Sequence, residues 1–448
     1  MLKNLRLARL KSYLTRLSGC LGHADRDEPL HDYLHGLLMP GERKSIEPMA
    51  ARLSPKSVSS KHQSLHHFVS DSPWQEERLL AAVRAEVLPL FEPLGGVAAW
   101  IIDDTGMPKK GRDSVGVGRQ YCGVLGKQDN CQVAVSISVA NHQASLPVAW
   151  RLYLPESWAS DAARRKKAKV PDSVTFKKKW EIALDLTDHL TSVGVPDATV
   201  LGDAGFGNVT EFREGLTKRG KLYALAISAE TTVWKPGMLP LPPKEWSGKG
   251  PRPSAWRTTS EHRPIAVSAL AAELPARAWK TITWREGSET PLTSRFAAVR
   301  VRAAHRQASS ALRPEEWLII EWPADEPAPT KYHLSTLPPA TTLKTLVQTI
   351  HMRWRIERDY QELKDEIGID HFEGRSWRGF HHHAALCIAA YGFLAAERAR
   401  LFPPHDSSHS QAHLLPLPAP RRPVPTPRGS PRATRLPPLT NVHPHHQT

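Results

Sequence analysis

The sequence predicts an α/β fold: a mixed sheet flanked by helices, preceded by an N-terminal helical region and interrupted by a β-rich insertion. Three observations predict it. Between residues 95 and 229, short apolar runs and helical patterns follow one another in the order β-β-β-α-β-α-β. Two of those strands deliver Asp followed by glycine. From 230 to 338, proline-rich loops then separate several further strand-like pieces.

Residues 1–94 read as helical. MLKNLRLARLKSYLTRL alternates Leu with Arg and Lys and lacks an uninterrupted apolar stretch, so it predicts an amphipathic helix and not a signal peptide. Glu77 to Phe91 places Leu79, Leu80, Val83, Val87 and Leu90 at helical spacing, with Ser70 or Ser72 as start signal. The period then changes. GGVAAWIIDDTG predicts a buried strand ending at a loop, and CQVAVSISVAN and LPVAWRLYLP predict two more, which together suggest an antiparallel meander. A basic connector leads into a helix on which Trp180, Ala183, Leu184, Thr187 and Leu190 share a face and which Gly194 ends. ATVLGDAGFG is a strand with an Asp at its end. A short helix (Val209 to Lys218) and a strand (Lys221 to Ser228) complete this part. In 230–338 the strand candidates are WKTITWRE, SRFAAVRVRAAH, EEWLIIEWP and TKYHLSTLP. A long helix from about Thr342 to Ile367 and a second from His381 to Arg400 fill 339–402. Residues 403–448 hold 12 of the 39 prolines and few large apolar groups, which predicts a disordered tail.

Composition narrows the function classes. The chain of 448 residues carries Lys+Arg 60 against Asp+Glu 45, a formal charge of +15. That excess favours a polyanionic partner, nucleic acid first. It is concentrated: residues 105–130, 160–180 and 403–448 contribute +3, +6 and +4. The longest nearly uncharged apolar run, Ala384 to Ala396, is short of the roughly 20 residues a bilayer span needs, so no membrane partner is expected. The four cysteines are scattered without a CxxC pair, which fits a reducing compartment and makes the cytoplasm the expected location.

Asp103 with Asp104, and Asp203, each follow an apolar strand. One Asp in such a place is weak evidence, because Asp also favours turns. Two of them, brought together by adjacent strands, suit a hard divalent cation, and a two-metal phosphoryl-transfer site needs a third acid. The segment HMRWRIERDYQELKDEIG supplies it. At 100° per residue Arg353, Glu357 and Lys364 project from one stripe, so the carboxylate could hold metal and the cations phosphate. An ordinary ladder of ion pairs is the competing reading. The histidines His381 to His383 and His62, His66 and His67 have no zinc spacing and read as packing or surface groups.

Three blocks together resemble the DDE transposases of bacterial insertion sequences, in the subgroup with a β-rich insertion before the catalytic glutamate. They are IIDDTGMPKKG…SVGVGRQYCGVLGK…NCQVAVS, VLGDAGFG, and RWRIERDYQELKDEIGIDHFEGRSWRGFHHHAAL. In that family's signature, Tyr-x2-Arg-x3-Glu-x6-Lys, the last three members fall on Arg353, Glu357 and Lys364, whereas the tyrosine position is Ile350. That departure leaves the tyrosine's role vacant or filled by another residue such as Tyr360. The resemblance implies a ribonuclease-H-like fold and a catalytic triad of Asp103, Asp203 and Glu357 binding two Mg²⁺ (or Mn²⁺) ions, with Asp104 as alternative to Asp103.

It further implies DNA contacts by Lys109, Lys110, Arg112, Arg119, Arg353 and Lys364. The basic clusters between 160 and 180 are further candidates for non-specific contacts. Tryptophans of the insertion, among them Trp234, Trp256 and Trp284, are either core or base-stacking groups, the core reading being preferred. The implied partners are terminal inverted repeats and target DNA, held by a homodimer in a nucleoid-associated setting, with residues 1–94 as a DNA-binding region. A catalytically silent DNA-binding protein derived from such a transposase is the alternative, and the tail is its motive.

Overall fold

Four consecutive side chains, Ala99, Trp100, Ile101 and Ile102, are fully buried, because the strand that carries them lies inside a sheet with helices over it. In the computed structural model, residues 2–284, 291–304 and 312–401 are described. The predicted tail, 403–448, lies outside the described residues.

Helices α1 (Leu2–Ser18), α2 (Asp27–Leu38), α3 (Ile46–Leu53), α4 (Val58–Ser70) and α5 (Glu76–Val87) form the N-terminal region. The first is the expected amphipathic helix: Tyr13, Leu14 and Leu17 are buried while Leu5 and Leu7 are exposed. Neither Ser70 nor Ser72 caps α5. Its N-cap is Gln75, and a 3₁₀ segment (Leu88–Leu94) carrying Pro89 and Pro93 ends it four residues before the predicted limit.

Strands β1 (Ala99–Pro108), β2 (Gly118–Cys122), β3 (Lys127–Ala140) and β4 (Ser145–Leu152) follow. β1 pairs antiparallel with β3, and β3 with β4, which is the predicted meander; β2 adds a hairpin with the first residues of β3. Two short helices follow, α6 (Glu156–Ala159) just before the basic connector and α7 (Ala162–Lys167) within it. Next come α8 (Lys179–Ser192), β5 (Thr199–Gly202), α9 (Ala204–Gly207), α10 (Thr210–Lys218) and β6 (Tyr223–Ile227). Gly194 takes a left-handed φ of 74° and so stops α8, as its place in the sequence predicts. β1, β5 and β6 are parallel to one another. The sheet is therefore mixed, as expected.

Strands β7 (Thr232–Trp234) and β8 (Ile265–Ala266), helix α11 (Val267–Glu273), and strands β9 (Lys280–Trp284), β10 (Leu292–Ala303), β11 (Glu316–Trp322) and β12 (Lys331–Ser335) occupy the span read as β-rich. They continue the same sheet. β12 pairs antiparallel with β6, β11 with β12, and β10 with β11, giving the order β2-β3-β1-β5-β6-β12-β11-β10-β7-β8. Pairing covers the edge of β6, which would otherwise expose its unpaired amides and carbonyls.

The helix predicted over 342–367 is not continuous. It divides into α12 (Leu343–His351) and α13 (Trp354–Glu362), joined at Met352–Arg353 by i→i−3 bonds such as Met352 N–H to the Thr349 carbonyl, and it ends in a π turn, Leu363–Ile367. The last helix, α14 (Trp377–Leu401), is buried on nearly all sides between β4 and α2, α4 and α5. Among the described residues no helix is long and apolar enough to cross a membrane.

His382 and His383 lock α14 to the N-terminal helices. His382 stacks on Trp74 with ring centroids 3.6 Å apart and lies within hydrogen-bond distance of the Val69 and Trp74 carbonyls. The Tyr33 hydroxyl is 2.8 Å from His383 Nδ1. These are packing histidines, as their spacing suggests.

The glycine after Asp203 and Phe206 has a steric reason. A Cβ on Gly207 would stand 1.8 Å from the Ala226 carbonyl oxygen of β6, so α9 can approach the sheet only without one. Gly207→Ala should destabilise the fold by roughly 3 kcal/mol, read as a lowered urea midpoint; an unchanged midpoint would contradict this packing.

Candidate active site

The site begins with strand register. Ile102 of β1 pairs with Gly202 of β5 in parallel, so the next residues, Asp103 and Asp203, leave neighbouring strands at the same level. The two strands then part. β5 ends and turns into α9, whereas β1 runs on to Pro108, so Asp103 and Asp104 lie inside a strand and not at its end as the sequence suggested. Asp203 is the N-cap of α9, its Oδ1 accepting the Phe206 N–H at 3.3 Å. A Cβ on Gly205 would sit 3.0 Å from that same oxygen, so glycine keeps the carboxylate uncrowded.

Asp103 and Asp104 turn to different partners, as adjacent residues of a strand must. Asp104 Oδ2 is 3.0 Å from Lys179 Nζ at the start of α8. Asp103 Oδ2 is 3.4 Å from Arg353 Nη1, and Arg353 Nη2 is 2.5 Å from Glu357 Oε1. Asp103 is thus the member of the pair that Arg353 links to Glu357. Its side chain is only 15% exposed, that of Glu357 52%. Burial, and next the charge of Asp203, push the Asp103 carboxyl up to about 7, against the pull of Arg353. Burial also raises Asp104, opposed by Lys179.

A raised carboxyl beside a second carboxylate is a site short of positive charge. The donors are oxygens of the hard type that divalent cations prefer, so Asp103 and Asp203 fit such an ion. Glu357, expected from the sequence as a third acid, stands at one remove: Arg353 lies between it and Asp103. Among the described residues no three His, Cys, Asp or Glu side chains are arranged to hold a metal ion together.

The helix bearing Glu357 is anchored by groups that the sequence did not single out. The buried Asp359 accepts from Ser145 Oγ (2.5 Å) and the Tyr391 hydroxyl (2.8 Å), which ties α13 to β4 and α14. Tyr360, considered for the missing tyrosine's role, is buried with its hydroxyl 2.8 Å from Ser136 Oγ on β3. It works as a pin on α13 and does not face outward. Ile350 is buried in α12.

The expected DNA-binding cations divide in two. Lys364 Nζ donates to Thr105 Oγ1 (2.6 Å) and the Gly106 carbonyl (3.3 Å), and Lys109 Nζ donates to the carbonyls of Asp370 (3.2 Å) and Phe372 (2.7 Å). Burial lowers both ammonium groups. These lysines fasten the segment after α13 to β1. Lys110, Arg112 and Arg119 are exposed. In the basic connector Lys167 pairs with Asp113 (3.0 Å), Lys169 with Asp71 (3.1 Å) and Lys177 with Asp185 (2.5 Å), while Arg164 lies over the Trp158 ring at 3.8 Å. Part of its charge is therefore spent within the chain. Trp234 is buried, and Trp284 packs on His351 and Phe296, which agrees with the core reading of these rings.

Comparison with known proteins adds two findings. The family model described as DDE superfamily endonuclease matches residues 16–291, a span that includes Asp103 and Asp203 and ends before Glu357. Over 177 residues the chain is 33% identical to the "Probable transposase for insertion sequence element IS701" of Microchaete diplosiphon, a match covering 39% of this chain and 42% of that relative.

Asp103 yields a pH prediction. Folded, it holds its proton to about pH 7; unfolded, it loses it near 3.8. Across that interval the folded state binds the extra proton, so stability falls as pH rises. Asp103→Asn should therefore be more stable than the natural chain at pH 8 without divalent cations, by about 2–4 kcal/mol at most, seen as a higher unfolding temperature. Near pH 4 the gain should vanish, and an equal gain at both pH values would refute the assignment.

Proposed function

The chain belongs to the DDE superfamily endonuclease family, and from that premise we propose that it is an insertion-sequence transposase. It binds the terminal inverted repeats of its element, cleaves DNA there and joins the freed ends to target DNA. One observation carries this reading: the parallel register of β1 and β5 that sets Asp103 beside Asp203, with Glu357 joined to Asp103 through Arg353.

In this reading Asp103, Asp203 and Glu357 would hold two Mg²⁺ or Mn²⁺ ions, whose contribution would be Lewis acidity toward an in-line displacement at phosphorus. The chain's own groups do the rest. Asp203 is fixed by its cap on α9, and Asp103 by its strand, so two carboxylates stay placed while phosphate arrives. Arg353, released from the acids, can donate to a non-bridging phosphate oxygen in bidentate fashion. Water attacks phosphorus and the P–O3′ bond breaks, leaving a 3′-hydroxyl and a 5′-phosphate; that hydroxyl then attacks a target phosphodiester in the same way. Lys110, Arg112 and Arg119 contact phosphates of the bound duplex. Joining requires two ends at once, hence a homodimer in the active complex.

Asp203→Ala and Glu357→Ala should each abolish Mg²⁺-dependent cleavage of duplexes carrying the element's ends, while gel-shift binding persists. Cleavage retained by both variants would sink the assignment. Binding without cleavage by the natural chain would instead favour a silent DNA-binding protein derived from a transposase.

A divalent cation should also relieve the crowding of acids at Asp103. Adding Mg²⁺ or Mn²⁺ should raise Tm more at pH 8 than at pH 5, and Asp203→Asn should remove most of that rise. A cation effect independent of pH and of Asp203 would place the ions elsewhere.

A further inference from the structure

We propose that the β2–β3 hairpin is a DNA-inserting finger: its apolar tip enters a groove of the duplex flanking the cleaved bond, while cations near its base hold the phosphates. The proposal rests on the transposase reading and adds a contact to it.

The tip is apolar and bare. Tyr121, Val124 and Leu125 are 61%, 59% and 42% exposed within five consecutive residues. Isolated exposed apolar side chains are ordinary, but a cluster at one projecting turn marks an interaction site. The turn keeps an open side, since a Cβ on Gly123 or Gly126 would meet nothing within 4 Å. Gly126, at φ 62°, makes the tight return possible.

The strands behind the tip are held. Cys122, next to the turn, is buried with Cys131 and Val133, and nearer the base the Gln120 amide donates to the carbonyls of Gly116 (3.3 Å) and Cys131 (3.0 Å). The Asn130 amide donates to the carbonyls of Lys109 (2.5 Å) and Gly111 (2.9 Å). Apolar side chains exposed on so fixed a ladder form a preorganised probe, which loses little freedom on binding.

Charge selects the occupant. Lys110, Arg112 and Arg119 are exposed around the hairpin. The nearby acids are engaged, Asp129 with Lys127 and Asp113 with Lys167 and Arg375. Arg119 and Tyr121 lie on one face of β2, two residues apart. An apolar wedge flanked by Arg and Lys is how proteins enter and open a groove of duplex DNA.

The hairpin also reaches the site. Cys122 rests on β1 at Gly106, where a Cβ would stand 3.1 Å from the Cys122 Cα, and Gly106 follows Asp103 by three residues on the same strand. A duplex held at the carboxylates therefore passes beside the tip.

The test is fluorescence anisotropy of a fluorescein-labelled 40-base-pair duplex at several salt concentrations, with sedimentation velocity in parallel. Tyr121→Ser, Val124→Ser and Leu125→Ser combined should weaken binding roughly tenfold without altering the salt slope. Arg112→Ala with Arg119→Ala should reduce that slope by about 1.8. Should the triple variant lack a thermal transition, Leu125→Ser alone is to show a weaker loss of the same kind. Natural affinity in the apolar variants would overturn the finger. So would an altered oligomeric state with unchanged DNA affinity, which would make the tip a contact between chains. A natural chain that binds no duplex would remove the transposase reading itself; duplex binding indifferent to the hairpin would remove the finger alone.

Discussion

The site depends on one hydrogen-bonded register, the parallel pairing of Ile102 with Gly202. In a parallel pair, side chains at matching positions emerge side by side, and here the two that follow are carboxylates. A slip of one residue on either strand would send one of them to the opposite face. The register is held by burial: residues 99–102 of β1 and 200–201 of β5 are almost wholly removed from water, and these apolar side chains fit their neighbours in only one alignment. The hydrophobic core thus enforces the approach of two like charges that would otherwise stay apart.

That enforced proximity organises the surroundings. Arg353 reaches Asp103 from the junction of α12 and α13, where the helix tightens into i→i−3 bonds, and holds Glu357 in the same fork. α13 is positioned by Asp359 and Tyr360, which bond to Ser145, Tyr391 and Ser136 on three other elements. Lys109 and Lys364 fasten the following segment to β1. Buried polar contacts of this kind contribute about 1 kcal/mol each when satisfied and cost more when broken. Their greater effect is directional, because they leave α13 a single way to face the sheet.

Much of this was legible in advance. The meander, the helix stopped by Gly194, strands β9 to β12 and the last helix follow from periodicity and turn residues, which are properties of consecutive positions, whereas β7, β8 and α11 gave no such signal. Asp103, Asp203 and Glu357 stood out as acids on such elements. What escaped was whatever depends on partners far along the chain. Lys109 reads as a surface cation beside a loop, yet its ammonium bonds to carbonyls more than 260 residues away. The break at Met352–Arg353 has no proline or glycine to announce it.

The sequence by itself determined the kinds of element, their order, and the placing of acids next to apolar strands, since these rest on local alternation and spacing. Tertiary structure decided which cations stay free, that β12 extends the sheet beside β6, and that Arg353 stands between two carboxylates. The reason is physical. Secondary structure is chosen by interactions within a few residues, whereas an ion pair is chosen by whichever opposite charge the fold brings near; Asp104 finds Lys179 only because the fold sets the first residue of α8 beside it.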